Sequence, residues 1–328
     1  MEFEGPLRTV QGLVIGKGSI GTRHYKLLQK LLPDGNHLHL GSREFDSLLA
    51  GSSGVEFPAA YKDGFDFVIV ASPSTRHRHH VTESLKLGLP VLVEKPLTST
   101  LQEAHELSEF LGDRGQLVQV GYVIRFSEGF QALQKEIAKR GLDGVDKVKI
   151  MSQSYLPDWR PNTDFREGVS ARADLGGGAL RELSHELDYA ITLLGPLKVS
   201  FANLKKSPDI SDDVETCALI HASSGHGATV SISLDMASHT AERSCEVTWH
   251  DGKWLRWNLL ENSLSSGDSS GATFFQELKD SRDDWYHNQL KAFVGAVNGE
   301  NPPTPTVGEA LFVMECIDYV EKISRAQL

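Results

Sequence analysis

Cysteine is scarce in this chain of 328 residues, which contains three: Cys217, Cys245 and Cys316. Their odd number and wide spacing argue against a disulfide framework and against a zinc site built from cysteines. We therefore expect three reduced thiols in the core.

The chain also has no long apolar run and contains fewer basic than acidic residues. No stretch approaches the roughly 18 apolar residues that a membrane span needs, and the start, MEFEGPLRTVQ, lacks the pattern of a signal peptide. We expect a cytoplasmic protein that binds no membrane. The 33 Lys and Arg against 44 Asp and Glu give a formal net charge of −11, which repels a phosphate backbone and makes nucleic acid an unexpected partner.

The length and composition are those of a folded globular chain. Hydrophobic residues make up 40% and charged residues 23%, which excludes disorder and coiled coil as general descriptions. The length fits two domains. We predict a dinucleotide-binding domain over residues 1–124, followed by a substrate-binding and oligomerisation domain over residues 125–328.

A glycine-rich turn follows the first apolar run. Residues 13–15, then GKGSIG, then a leucine-rich stretch have the order strand, turn, helix. Gly16 permits the tight turn, Gly18 lets the backbone approach a pyrophosphate, and Gly21 lets the helix pack closely. Such turns also arise for steric reasons alone, but a second short strand at residues 37–40 completes a βαβ unit. We predict cofactor contacts at Gly16, Lys17, Gly18, Ser19, Ile20 and Gly21.

The end of this second strand bears on cofactor choice. An NAD site carries an acid there for the ribose hydroxyls, but the sequence has Ser42 and Arg43. A hydroxyl and a guanidinium suit the 2′-phosphate of NADP better. Glu44 supplies the acid if the strand is longer, so NADP is the expected cofactor and NAD the alternative.

A third strand, residues 65–71, is almost entirely apolar. The carboxyl ends of parallel strands line the cofactor crevice, so we place Ser72, Pro73, Ser74 and His77 beside the cofactor. The histidines of RHRHH point apart on a helix with no acid close by in sequence, and we expect no metal site.

A further buried strand ends at Glu94 and Lys95, which we also assign to the cofactor crevice. Pro96 favours an extended backbone at Lys95 and so helps to direct its side chain. A lysine at such a place is able to exchange a proton with a substrate, whereas the alternative is a surface lysine that snorkels into water.

His185 has an acid one helical turn before it, Glu182, and another one turn after it, Asp188. On one continuous helix these three side chains share a face. The alternative is a helix histidine without chemistry. HELD lacks the second histidine of HExxH, so a zinc protease is not indicated.

Beyond Arg125 the pattern changes to strands of period two, and Asp251-Gly252 indicates a hairpin. We expect an open, mainly antiparallel sheet with helices on one side and a last helix that packs back on the first domain. Three tryptophans fit either a subunit contact on the open face or a local core: Trp249, Trp254 and Trp257.

A polar segment over residues 155–173 carries a large aromatic side chain. Trp159 is able to stack on a sugar ring, and Arg160 or Arg172 to hold a carboxylate or phosphate. The alternative is an ordered lid with a structural tryptophan. The further candidate substrate contacts are Lys95, Arg125, His185 and Asp188.

Taken together, these segments resemble the Gfo/Idh/MocA oxidoreductases, which include glucose-fructose oxidoreductase and inositol 2-dehydrogenase. The resemblance spans nearly the whole chain through GKGSIG, ASPSTRH, VLVEKPL, GYVIRF and GGGALRELSHELDYAITLLG in this order. It implies that Lys95 and His185 act on the substrate hydroxyl. The family acid four residues before the histidine is replaced by Arg181, so we expect Glu182 to substitute for it.

The resemblance also implies a function. We expect hydride transfer between nicotinamide and a hydroxyl or keto carbon of a sugar, sugar acid or cyclitol, in a homodimer or homotetramer joined through the open sheet face. The alternatives are a glycosidase that uses tightly held NAD for transient oxidation and a non-catalytic, cofactor-binding metabolite sensor.

Overall fold

The computed structural model describes residues 10–50, 64–112 and 117–326. Its first sheet is wholly parallel, and four of its five strands are buried, whereas the edge strand at residues 38–40 is half-buried. It consists of β1 (Gly12–Ile15), β2 (Leu38–Leu40), β3 (Phe67–Val70), β4 (Val91–Glu94) and β5 (Val118–Gly121). The spatial order is β2-β1-β3-β4-β5. The associated helices are α1 (Ser19–Leu31), α2 (Ser42–Leu49), α3 (His77–Lys86) and α4 (Leu101–Leu111). The Rossmann fold predicted for this half is confirmed.

Two glycines of the first turn have no room for a side chain. Gly16 has φ +117°, and a Cβ there would lie 2.3 Å from the Ala71 carbonyl oxygen. A Cβ on Gly21 would lie 1.8 Å from the Gly16 carbonyl oxygen. Gly18 differs, because a Cβ there would meet no atom within 4 Å. Gly16 and Gly21 therefore serve packing, while Gly18 leaves a space beside the backbone.

The second sheet is open and mainly antiparallel, as predicted, with β6 and β9 as a parallel pair. Its spatial order is β13-β12-β11-β10-β6-β9-β8-β7. The strands are β6 (Val145–Tyr155), β7 (Leu197–Lys205), β8 (Cys217–Ser224), β9 (Thr229–Asp235), β10 (Ala237–Trp249), β11 (Trp254–Asn258), β12 (Ser263–Asp268) and β13 (Gly271–Glu277). Gly252, at φ +79°, lies in the tight turn between β10 and β11.

Helices lie on one face of this sheet and connect it to the first. The helices are α5 (Glu128–Arg140), α6 (Ala179–Glu182), α7 (Ser184–Leu194), α8 (Arg282–Val297) and α9 (Val307–Ala326). Of these, α5, α6 and α7 contact the second sheet, and α8 packs against α1. The last helix, α9, contacts both halves, since it lies against α4 and β5 as well as β7 and α7.

Two of the three tryptophans belong to the local core. Trp257 is fully buried beneath Gly129 of α5, where a Cβ would lie 2.1 Å from the indole nitrogen. Trp249 is also buried, with the Arg140 guanidinium 4.3 Å from its ring centroid. Trp254 is half-buried and donates to the Asp268 carbonyl.

The three cysteines are free thiols, of which Cys245 and Cys316 are buried and Cys217 is half-buried. None of the helices in the described part of the chain has an apolar stretch sufficient to cross a membrane.

We expect Gly21→Ala to lower the free energy of unfolding by about 3 kcal/mol, because the new methyl group collides with backbone that has no freedom to move aside. Gly18→Ala is the matched control and should change it by less than about 0.5 kcal/mol. Urea unfolding of both variants measures the difference, and equal unfolding midpoints would contradict the packing role of Gly21.

Candidate active site

Lys95 directly follows the carboxyl end of β4 and lies at the border between the two sheets. Its ammonium group donates a hydrogen bond to the Glu182 main-chain carbonyl at 2.9 Å. Glu182 ends the short helix α6, where the last carbonyls have no partner within the helix. The lysine therefore caps a free helix end and is held close to α7.

The helix around Glu182 differs from the prediction. One continuous helix was expected, but it is interrupted at Leu183, whose φ of −102° and ψ of 27° separate α6 from α7. The Glu182 carboxylate turns to the Ser170 hydroxyl, which donates to it at 2.8 Å. Among the residues that the structure describes, no hydrogen bond joins Glu182 to His185. The expectation that the two share one helix face is therefore wrong.

Arg181 points away from the histidine. It donates to the Ser99 carbonyl at 3.0 Å and to Glu321 of α9 at 2.6 Å. Arg181 thus joins the two halves of the molecule.

His185 is the second residue of α7 and is 9% exposed. Burial holds its pKa well below the ordinary value, and the nearby cations Lys95, Arg243 and Arg282 lower it further. The Tyr122 ring lies edge-on to the imidazole with centroids 5.9 Å apart. His185 is therefore neutral at neutral pH and able to accept a proton.

Asp188 does not serve His185. Both of its oxygens accept from Arg125, at 2.6 and 2.9 Å, and the same guanidinium contacts Glu309 of α9. Burial raises the pKa of Asp188 to about 6. Arg125 and Asp188 were expected to contact substrate, but the structure pairs them with each other in the interior, at 8% and 1% side-chain exposure. The pair attaches α7 to the turn Val123–Phe126.

Beneath Lys95 lies a buried pair that the sequence analysis missed. Glu94 accepts from His24 of α1 at 2.6 Å, and its second oxygen lies 3.3 Å from the Lys95 backbone nitrogen. Glu94 thus reaches into the protein interior. The available signal was the position of His24 one turn after Gly21, on the face of α1 that packs inward.

The loops after β3 and β4 are tied together by His77. Its two ring nitrogens lie 2.9 Å from the carbonyl oxygens of Pro96 and Ser72, and burial lowers its pKa. His77 therefore fixes the backbone next to Lys95. Pro73 precedes the 3-10 turn Ser74–Arg76, in which the Ser74 side chain is buried.

The other histidines of this segment face α2. Asp46 lies 3.2 Å from His79 and 3.3 Å from His80, and the second ring nitrogen of His80 lies 2.9 Å from the Ser72 hydroxyl. Asp46 lies 34 positions before His80 in the sequence, so the sequence analysis did not identify it as a partner of these histidines. No group of three or more side chains suited to a metal ion occurs within residues 10–50, 64–112 and 117–326.

The edge after β2 carries charges of both signs. Ser42 and Arg43 form the first turn of α2 and do not extend the strand. Glu44 accepts from Lys17 at 2.8 Å and from the Gly41 backbone at 2.6 Å. Arg43 is exposed beside it. The acid Glu44 and the cation Arg43 therefore both lie after β2, at the position where a Rossmann fold contacts the ribose of its dinucleotide.

A cavity of about 500 Å³ opens between Ser19 and the segment 156–170. Trp159 and Arg160 line it, and the indole of Trp159 donates to the Ser154 hydroxyl at 2.8 Å. Arg172 is engaged elsewhere, since it pairs with Asp174 at the surface. Trp159 and Arg160 thus face the cavity, and Arg172 does not line it.

The residues around Ser19 fit a dinucleotide. The first turn of α1 carries no acidic side chain and its N-cap no side-chain hydrogen bond, so its backbone N–H groups are available to an anion. The open space beside Gly18 lets a phosphate approach them.

Comparisons with known proteins agree with this architecture. Residues 10–122 match the family model GFO_IDH_MocA, described as an oxidoreductase family with an NAD-binding Rossmann fold. The chain is 23% identical to the inositol 2-dehydrogenase of Paracoccus denitrificans (strain Pd 1222), over 89% of this chain and 87% of that protein. It is 26% identical to the scyllo-inositol 2-dehydrogenase (NADP(+)) IolW of Bacillus subtilis (strain 168), over 46% of this chain but 40% of that protein.

A solved structure has the same fold. An inositol dehydrogenase homolog complexed with NAD+ from Azotobacter vinelandii superposes with a TM-score of 0.78 at 17% identity, over 97% of this chain and 96% of that one. The fold and the match of residues 10–122 to an oxidoreductase family model indicate a dinucleotide-binding Rossmann domain. Over that domain the chain is similar to the Gfo/Idh/MocA oxidoreductases, and over most of its length it is similar to an inositol 2-dehydrogenase.

We expect Asp188→Asn to lower the free energy of unfolding by about 3 kcal/mol or more, because it leaves the buried Arg125 without its main counter-ion. Asp174→Asn removes a carboxylate from the surface pair with Arg172 and should leave the urea midpoint almost unchanged. A similar small change in both variants would show that the buried pair does not anchor α7.

Proposed function

We propose that the protein is an NAD(P)-dependent dehydrogenase that interconverts a hydroxyl and a keto group on a sugar, sugar acid or cyclitol. The observation that carries this proposal is the Lys95 ammonium group held at the Glu182 carbonyl, next to a buried, neutral His185. The inositol substrates named for two relatives support the same class of substrate.

The two side chains divide the work on the hydroxyl. Lys95 donates a hydrogen bond to the substrate oxygen and stabilises negative charge that develops on it. His185 accepts the hydroxyl proton during oxidation and returns it during reduction. A bound nicotinamide dinucleotide supplies the partner that exchanges hydride with the substrate carbon.

Glu182 acts through its position. Its carbonyl orients Lys95, and Ser170 fixes its carboxylate at the wall of the cavity. We therefore assign Glu182 as a positioning residue, and Lys95 and His185 as the catalytic residues. Trp159 and Arg160 form the wall that contacts the substrate.

Three further parts of the proposal concern the domain boundary, the cellular compartment and the oligomer. We place the domain boundary at residues 124 and 125, within the turn that follows β5, and the protein in the cytoplasm. We also propose a homodimer or homotetramer joined through the helix-free face of the second sheet. Half-buried apolar side chains on that face support such a contact, among them Met151, Phe201 and Leu219.

We expect Lys95→Ala and His185→Ala to fold and to bind cofactor but to lose at least about 100-fold in kcat. His250→Ala, which removes a surface histidine, should keep wild-type turnover. Because a lowered pKa keeps His185 neutral, the acid limb of kcat/KM for oxidation should lie below about pH 6.5 and vanish in His185→Ala. Near-wild-type kcat in either alanine variant would refute the mechanism.

NADP is the cofactor that we propose, on the strength of Arg43 at the start of α2. Arg43→Ala should weaken NADP about 10- to 100-fold, the size of one charge-assisted hydrogen bond, and leave NAD nearly unaffected. Lys86→Ala is a surface control. Fluorescence titration gives both dissociation constants, and an equal loss for the two cofactors would assign the selection to another residue.

A further inference from the structure

Ser72 lies at the crevice where a Rossmann fold takes its dinucleotide. In the first sheet β2 lies on one side of β1 and β3 on the other, so the topological switch point lies between the carboxyl ends of β1 and β3. Gly16 follows β1, and a Cβ on it would lie 2.9 Å from the backbone nitrogen of Ser72, two residues beyond β3. Ser72 therefore borders the crevice directly beside the glycine turn.

The Ser72 hydroxyl is bound by the imidazole of His80. Its oxygen lies 2.9 Å from His80 Nδ1, and His80 Nε2 lies 3.3 Å from Oδ1 of Asp46 on α2. The imidazole is fully buried, and the Phe45 ring lies edge-on to it with centroids 5.4 Å apart. The aspartate, the histidine and the serine thus form one hydrogen-bonded chain from α2 to the crevice.

The direction of the hydrogen bonds in this chain follows from the charges of its members. Burial raises the pKa of Asp46, but the nearby His80 and Arg76 outweigh it, so the pKa lies below its ordinary value and the group is a carboxylate. Burial lowers the pKa of His80 to about 4, so its imidazole is neutral at neutral pH. Because a carboxylate only accepts, His80 Nε2 carries the proton and donates to Asp46. Nδ1 then carries no proton and accepts from the Ser72 hydroxyl.

Two cationic or basic side chains from the start of α3 fix the carboxylate itself. Arg76 donates to Asp46 Oδ2, and a ring nitrogen of His79 lies 3.2 Å from Oδ1. Arg76 ends the turn Ser74–Arg76 that follows Ser72. Asp46 therefore joins α2 to the same loop whose hydroxyl it orients through His80.

We propose that Asp46 is a positioning residue for the cofactor, which acts through His80 to direct the Ser72 proton away from the crevice. The Ser72 oxygen is then able only to accept hydrogen bonds. It suits a donor of the dinucleotide, a ribose hydroxyl or an amide N–H, and disfavours a phosphate oxygen. NAD and NADP both carry such donors, so the effect is the same for the two. This inference rests on the proposed function and deepens its cofactor site.

Asp46→Asn reverses the chain of hydrogen bonds. The Arg76 guanidinium has only donors and attracts the amide oxygen, which turns the amide nitrogen to His80. Nε2 then accepts, the imidazole proton moves to Nδ1, and the Ser72 oxygen accepts from it. Asp143→Asn is the matched control, because Asp143 contacts His226 at 2.8 Å in an exposed aspartate–histidine pair.

Heteronuclear NMR of the nitrogen-labelled full-length protein reports the tautomer without cofactor. The His80 signals are those that are absent from His80→Gln. We expect the proton on Nε2 in the wild type and in Asp143→Asn, and on Nδ1 in Asp46→Asn. A wild-type proton on Nδ1, or on both nitrogens, overturns the proposal.

Fluorescence titrations with NADP and with NAD measure the consequence for binding. Asp46→Asn and Ser72→Ala should each raise both dissociation constants about three- to tenfold, the size of one hydrogen bond. The double variant should bind no more weakly than Ser72→Ala, because Asp46 acts through that hydroxyl. Asp143→Asn should bind like the wild type. Additive losses in the double variant overturn the proposal.

Ser72→Ala and the wild-type tautomer decide the question even where Asp46→Asn does not fold. Dissociation constants that are unchanged in Ser72→Ala overturn this inference alone, since the wild type then still binds its cofactor. A wild-type protein that binds neither NADP nor NAD overturns the proposed function together with this inference.

Discussion

The hydrogen bond from the Lys95 ammonium group to the Glu182 carbonyl is the contact on which the site depends. It joins the end of a strand in the parallel sheet to a helix end that belongs to the second half of the chain. The lysine replaces the helical partner that the carbonyl lacks. Because the helix restarts two residues later, the same contact brings His185 to the lysine.

Buried pairs of hydrogen-bonded side chains maintain this arrangement from both sides. Below the lysine, Glu94 and His24 bind the start of the loop to α1. Behind the histidine, Arg125 and Asp188 bind α7 to the turn after β5. A buried ion pair such as Arg125–Asp188 contributes little net stability over apolar packing, yet breaking it is costly. Their value here is therefore positional, since they hold elements of both sheets at fixed distances from the reacting groups.

Local patterns in the sequence were sufficient to predict the first four strands of the parallel sheet and the glycine turn. Gly16 and Gly21 follow from turn geometry, and the hairpin at Gly252 from its dipeptide. The break at Leu183 was not predictable in this way, because helical periodicity continues across it. The pairs His24–Glu94 and Asp46–His80 join residues 70 and 34 positions apart, and only the packed fold brings them together.

The central claim is that Lys95 and His185 act on the same substrate oxygen. A crystal structure of the protein with NAD(P) and a sugar that it oxidises tests this most directly. The account predicts the reacting oxygen at about 2.6–3.2 Å from both the Lys95 ammonium nitrogen and a ring nitrogen of His185. A reacting oxygen that contacts the Glu182 carboxylate, with His185 beyond hydrogen-bond distance, would contradict it.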